Sequence, residues 1–181
     1  MTLLIRHGAT QGNLEGRYIG CRTDEPLCSK GIQALMTRHM PPVRRVFVSP
    51  MRRCLQTAEI LFPGVPATAV FDLRECDFGA FEGMNYAELN GRADYQAWID
   101  SGGELPFPGG ESRAQFALRS VRAFEECARG FADGESAFVV HGGTVMAVME
   151  RYARPRGTYF DFQVGCGEGY ALEDGGAYAR L

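Results

Sequence analysis

Histidine, lysine and tryptophan are scarce in this chain, with three, one and one respectively among 181 residues. Scarcity makes each histidine informative. Long hydrophobic runs are missing as well. No stretch approaches the roughly 20 consecutive apolar residues that a bilayer-crossing helix needs, so a helical membrane protein is excluded. The opening MTLLIRHGAT lacks a basic leader and a long apolar segment, so neither export nor anchoring is indicated and a cytoplasmic location is expected. Excess positive charge is also absent: the net charge is −3, and bulk electrostatics offers nothing to a nucleic acid. The six cysteines, at 21, 28, 54, 76, 127 and 166, form no CxxC pair and have no histidine at zinc-ligand spacing. They are expected to be reduced, mostly buried side chains, and neither a metal nor a cofactor is expected.

What is present suits one globular core. With 45% hydrophobic and 23% charged residues, residues 1–181 are expected to form a single domain. Residues 2–6 read as a strand, and Gly8 to Pro26 as a long functional loop. Ser29 is a candidate N-cap for a helix running from Ile32 through Met40 and ended by Pro41-Pro42, with His39 near its C-terminus. VFVS (46–49) and ATAVF (67–71) are the next strand candidates, separated by the helix RRCLQTAEIL. Tyr86 to Ser101 is helical but broken by Gly91, and Ser112 caps a long helix to about Arg129. A strand AFVV, a helix from about Thr144 to Tyr152, and a hairpin of GYALE and AYARL around Asp174-Gly175-Gly176 complete the chain. Strands alternating with helices predict an α/β fold with a mostly parallel sheet covered on both faces.

Two of the three histidines follow strand candidates and precede glycine: LLIRHG at 3–8 and FVVHGG at 138–143. In an α/β fold such positions fall at the carboxyl edge of the sheet, where ligands bind. Arg6 offers a fork of donors to an anion and Asn13 a neutral donor. In SPMRRCLQTAE (49–59) a strand feeds a helix whose N-terminus and first-turn arginine form another anion site. Arg52 and Arg53 point about 100 degrees apart on that helix, and local spacing does not separate them. The loop LRECDFGAFEG (73–83) brings an acid, Glu75, that suits proton donation to a departing alkoxide. His141, with the Gly142 and Gly143 amides, is placed to stabilise phosphate oxygens.

These four pieces, in this order, resemble the histidine phosphatase superfamily, in its phosphoglycerate mutase-like branch, from residue 3 to about residue 172. The resemblance implies a three-layer α/β sandwich with a mostly parallel central sheet. It implies that His7 is the nucleophile that becomes phosphorylated and Glu75 the acid. Arg6, Arg53 and His141 are implied in the phosphate pocket, with Asn13, Gly20, Cys21 and Gly142 as further substrate contacts. It selects Arg53 over Arg52, because the family's pocket arginine stands four residues before the threonine of RxxxTA, here Thr57. RHGAT rather than RHGxRxP points away from the acid-phosphatase branch, and the short gap between Glu75 and His141 favours a phosphatase over a mutase.

The segments GRYIGCRTDEPLCSKG, LRECDFGAFEGMNYAEL and FPGGES look like α-ribazole-phosphate phosphatases of cobalamin assembly, and broad-specificity phosphatases of the same branch share much of them. Cys21 stands where those proteins often carry tryptophan. The expected function is therefore metal-independent hydrolysis of a small-molecule phosphomonoester through phosphohistidine, with α-ribazole 5′-phosphate as a candidate substrate. Mutase-type phosphoryl transfer and a non-catalytic phosphoanion-binding module are the alternatives. A variable segment at about 84–112, with Tyr86, Tyr95, Trp98 and Phe107, is expected to cover the pocket, packing being the other fate open to these rings. Oligomeric state is not set by the sequence.

Overall fold

The computed structural model describes residues 1–129 and 135–181. Its elements in chain order are β1 (Thr2–Arg6), α1 (Gln11–Leu14), α2 (Ser29–Met36), β2 (Arg45–Val48), α3 (Arg52–Leu61), β3 (Ala67–Ala69), α4 (Tyr86–Leu89), α5 (Ala93–Asp100), α6 (Arg113–Ala128), β4 (Ser136–Val140), α7 (Gly142–Tyr152), β5 (Gly169–Leu172) and β6 (Tyr178–Arg180). The strands form one sheet in the order β3-β2-β4-β1-β5-β6. The β3-β2, β2-β4 and β4-β1 pairs are parallel, while β5 pairs antiparallel with both β1 and β6.

Side-chain alternation along the interior strands assigns the layers. Leu4, Phe47, Phe138 and Val140 face a core shared with Phe124 of α6 and Val145, Val148 and Met149 of α7. Leu3, Ile5, Val46, Val48, Ala137 and Val139 face the opposite way, onto Cys54 and Ala58 of α3. Both faces of β1 and β4 are covered, which is why LLI and AFVV read as uninterrupted apolar runs. The expected three-layer α/β architecture with helices on both faces is the one found. Among the described residues no helix is long and apolar enough to cross a membrane.

Several boundaries differ from the sequence expectation. Helix α2 begins at Ser29 and is capped by Cys28, whose Sγ accepts from Gly31 N–H at 3.4 Å. It ends at Met36, so His39 lies beyond it, exposed in the approach to Pro41. Strand β3 stops at Ala69, and Phe71–Leu73 close instead into a single 3-10 turn. Helix α7 starts at Gly142, two residues before Thr144. Gly143 is required there by packing, since a Cβ would stand 2.6 Å from Phe116 Cε1. Gly91 does break the 86–101 helical pattern, at φ +84, and Ser112 does cap α6 through Gln115 N–H. Cys54 and Cys76 are buried, whereas Cys21, Cys28, Cys127 and Cys166 are only half-buried.

Candidate active site

Three adjacent strands end side by side. Register pairs Arg6 with Val140 and Val48 with Val139, so the next residues along, His7, His141 and Ser49, meet at one carboxyl edge. The His7 and His141 rings lie 5.2 Å apart at an interplanar angle of 68°. Both are buried, at 3% and 0% exposure.

The His7 ring is oriented by its own turn. Its Nδ1 lies 2.7 Å from the Gly8 carbonyl oxygen, which can only accept, so Nδ1 carries the proton and Nε2 keeps the lone pair. Burial holds the His7 pKa well below its ordinary value of 6.5, with Arg53 acting in the same direction. A neutral imidazole with a free Nε2 is a nucleophile. Helix α3 fixes this turn, because Gly8 N–H donates to Thr57 Oγ1 at 3.0 Å while Thr57 Oγ1 donates to the Arg53 carbonyl at 2.6 Å.

The two arginines of RR part company. Arg52 is exposed and its backbone N–H donates to Asp24 Oδ1 at 2.7 Å, capping an α3 N-terminus whose own N-cap, Met51, supplies no side chain. Arg53 has no exposed surface, and its Nη1 and Nη2 donate to the carbonyls of Thr23 and Gly20 at 2.9 and 3.0 Å. Arg6 Nη1 donates to the Val164 carbonyl at 2.9 Å. Both guanidinium groups keep a buried Nε without a partner, and among the described residues neither forms an ion pair with a carboxylate. Two cations held only by carbonyl dipoles leave uncompensated positive charge beside His7, a site that favours an anion.

His141 is the N-cap of α7, which has no side-chain cap. The first-turn amides of that helix, from Gly142 and Gly143, therefore open toward the same edge. Gly142 packs against Arg6, with a built Cβ 3.4 Å from Arg6 Nε. His141 Nε2 is 2.8 Å from Ser49 Oγ, and its Nδ1 is 3.9 Å from Glu75 Oε2. Burial and the neighbouring Arg53 keep this imidazole neutral, with a pKa well below 6.5.

Glu75 reaches the site from the loop after the 3-10 turn. Its side chain is 12% exposed. Burial pushes the carboxyl above the usual range, outweighing the Cys76 N–H bond at 3.0 Å and the pull of Arg53 and Arg6. Arg119 of α6 holds the loop in place by donating to the carbonyls of Asp72, Arg74 and Glu75 at 2.6, 3.1 and 3.4 Å, while pairing with Glu111 at 2.8 Å.

His7, His141, Arg6, Arg53, Glu75 and Gly142 thus converge, and the other three expected residues sit around them. Gly20 contributes its carbonyl to Arg53, and its N–H donates to Glu82 Oε1 at 2.9 Å. Cys21 is half-buried, with its N–H on the Cys76 carbonyl at 3.1 Å. Asn13 Oδ1 completes the α1 capping box by accepting from Thr10 N–H at 3.1 Å, and it also faces Cys166 Sγ at 3.6 Å. Sequence reasoning missed Ser49 and Arg119. Ser49 was legible only as the last residue of VFVS, and Arg119 carried no local signal.

Beside Glu75 opens a cavity of about 460 Å³ whose walls include Trp98, Phe107, Phe116 and Tyr159. Trp98 and Phe107 stack at 4.9 Å, with Tyr95 stacked behind Trp98 at 6.2 Å. Of the aromatics singled out in segment 84–112, Trp98 and Phe107 therefore line the cavity, Tyr95 packs behind it, and Tyr86 is exposed at 74%.

Residues 2–173 match the model of the histidine phosphatase superfamily, branch 1. An adenosylcobalamin/α-ribazole phosphatase from Salmonella typhimurium is 29% identical, covering 98% of this chain and 93% of its own. A 2,3-bisphosphoglycerate-dependent phosphoglycerate mutase from Gloeobacter violaceus is 31% identical over 82% of this chain and 74% of its own. The crystal structure of the α-ribazole phosphatase from Shigella flexneri superposes with a TM-score of 0.81 at 25% identity, covering 96% of this chain and 91% of that one. The sheet order, the paired strand-end histidines and these likenesses agree: the chain belongs to the histidine phosphatase superfamily, branch 1, and is an enzyme of that superfamily.

Proposed function

We propose that this enzyme hydrolyses a small-molecule phosphomonoester in two steps, without a metal, through a phosphohistidine on His7. Neutral Nε2 of His7 attacks phosphorus in line, and the bond to the ester oxygen breaks as Glu75 delivers a proton to the departing alkoxide. Arg6, Arg53, His141 and the α7 amides neutralise the charge on the remaining oxygens. Glu75, now a carboxylate, takes a proton from the water that attacks phosphohistidine, releasing inorganic phosphate and restoring the acid. The observation that carries this reading is the pair of carboxylate-free guanidinium groups, Arg53 fully buried and Arg6 part-buried with each Nε buried and without a partner, beside a His7 imidazole whose Nε2 is left free.

In this reading residues 1–181 act as one histidine phosphatase domain, with the segment at about 84–112 forming a cap over the alcohol half of the substrate. We propose α-ribazole 5′-phosphate as the first physiological candidate, because the Salmonella relative named for that activity matches almost the whole chain. Phosphate release from para-nitrophenyl phosphate in excess chelator tests the chemistry. Wild type is expected to retain its rate and His7→Ala to lose at least about three orders of magnitude. Undiminished turnover in the alanine variant, transfer to an acceptor without phosphate release, or activity abolished by the chelator would contradict it.

A further inference from the structure

The cavity beside Glu75 has a chemical character of its own. Glu75 belongs to both the cavity and the histidine site, being 3.9 Å from His141 Nδ1, so whatever leaves with the proton from Glu75 sits in this space. Its walls are mostly aromatic and aliphatic, and two of them, Ile99 and Phe160, are large apolar side chains 46% and 59% exposed. Exposed apolar groups gathered on a cavity mark a surface that becomes covered in use.

The charges present do not favour an anionic guest. Arg113, the cation of the cavity wall, is paired with Glu104 and lies 5.6 Å from the ring centroids of both Tyr159 and Phe160. Its charge is already answered. Glu75 would repel a substrate carboxylate once ionised.

We propose that this cavity binds the alcohol half of the substrate and selects uncharged, largely apolar groups of aromatic-ring size or larger, with Ile99 and Phe160 as specificity-determining residues at its solvent side. It rests on the phosphatase reading given above and narrows it against carboxylated esters such as phosphoglycerates. Volume supports the assignment, because about 460 Å³ falls within the range of small-molecule sites and far exceeds the needs of a three-carbon acid.

Three esters of primary alcohols separate leaving-group chemistry from recognition: naphthylethyl phosphate, ethyl phosphate and 3-phosphoglycerate. Wild type is expected to show kcat/KM at least about tenfold higher for naphthylethyl phosphate than for either of the others, as burial of an apolar ring predicts. In Ile99→Glu and Phe160→Glu the ratio of naphthylethyl to ethyl phosphate should fall about tenfold. Leu118→Glu, at an exposed apolar position away from the cavity, should keep the wild-type ratio. Equal or better use of ethyl phosphate or 3-phosphoglycerate by wild type, or an unchanged ratio in both cavity variants, would overturn the assignment while leaving the phosphatase reading intact. Hydrolysis of none of the three would overturn both.

Discussion

Ser49 Oγ and His141 Nε2 lie 2.8 Å apart, at the ends of two neighbouring parallel strands. Met51 N–H points at the same hydroxyl oxygen from 3.5 Å and takes one of its two lone pairs, so Ser49 Oγ can donate to Nε2 or accept from it, and Cys54 Sγ stands 3.6 Å from the same nitrogen. The tautomer in which Ser49 donates puts the single proton of the neutral imidazole on Nδ1, the nitrogen on the Glu75 side. In the proposed mechanism that tautomer makes His141 a donor toward the phosphate and Ser49 a positioning residue.

Replacing Ser49 with alanine should lower kcat/KM about tenfold or more, the worth of one oriented hydrogen bond. Nitrogen NMR of the His141 ring should show the proton shared between Nδ1 and Nε2 in the variant and confined to Nδ1 in wild type. Wild-type kinetics in Ser49→Ala, or an unchanged ring spectrum, would remove Ser49 from this role.

Arg119 supports the acid from behind. Its three carbonyl contacts on 72–75 fix where the Glu75 carboxyl points. Arg119→Gln should cost about 1–3 kcal/mol of stability and slow alkyl phosphates about tenfold more than para-nitrophenyl phosphate. A uniform loss on both esters would reduce Arg119 to a structural tie.

The pH profile follows from the two opposed shifts. The His7 pKa lies well below 6.5, so the nucleophile is protonated, and activity lost, only as pH falls well under that value. The Glu75 pKa is raised from 4.5, so the acid keeps its proton to higher pH than an exposed carboxyl and is lost as pH rises through the raised value. Single-turnover rates on ethyl phosphate should therefore fall on both sides of a maximum. Glu75→Gln should remove the alkaline limb and slow ethyl phosphate about tenfold more than para-nitrophenyl phosphate. An alkaline limb that survives the substitution would assign the proton elsewhere.

The parts of the site legible in the sequence are those encoded beside a strand. LLIRHG and FVVHGG each place a histidine after a buried interior strand, and β1 and β4 proved to be neighbours with His7 and His141 in register. The choice between Arg52 and Arg53 was not readable from helical spacing alone. It is decided by Asp24 and by the Gly20 and Thr23 carbonyls, which reach α3 from a loop 28 to 33 residues earlier. The Ser49 and Arg119 contacts join distant segments for the same reason, since side-chain geometry across a sheet edge has no local periodicity. Boundaries slipped where chemistry was atypical: a cysteine sulfur caps α2 in place of a hydroxyl, and two glycines open α7, the second of them because Phe116 presses against it.

Trapping by alkaline denaturing quench in a single turnover addresses His7 most directly. Wild-type enzyme mixed with a phosphorus-32-labelled aryl phosphate should yield acid-labile, base-stable label on the peptide bearing His7, formed and lost at rates compatible with turnover. His7→Ala should carry none. Label on another residue, or full turnover with no labelled protein at any quench time, would contradict the phosphohistidine mechanism.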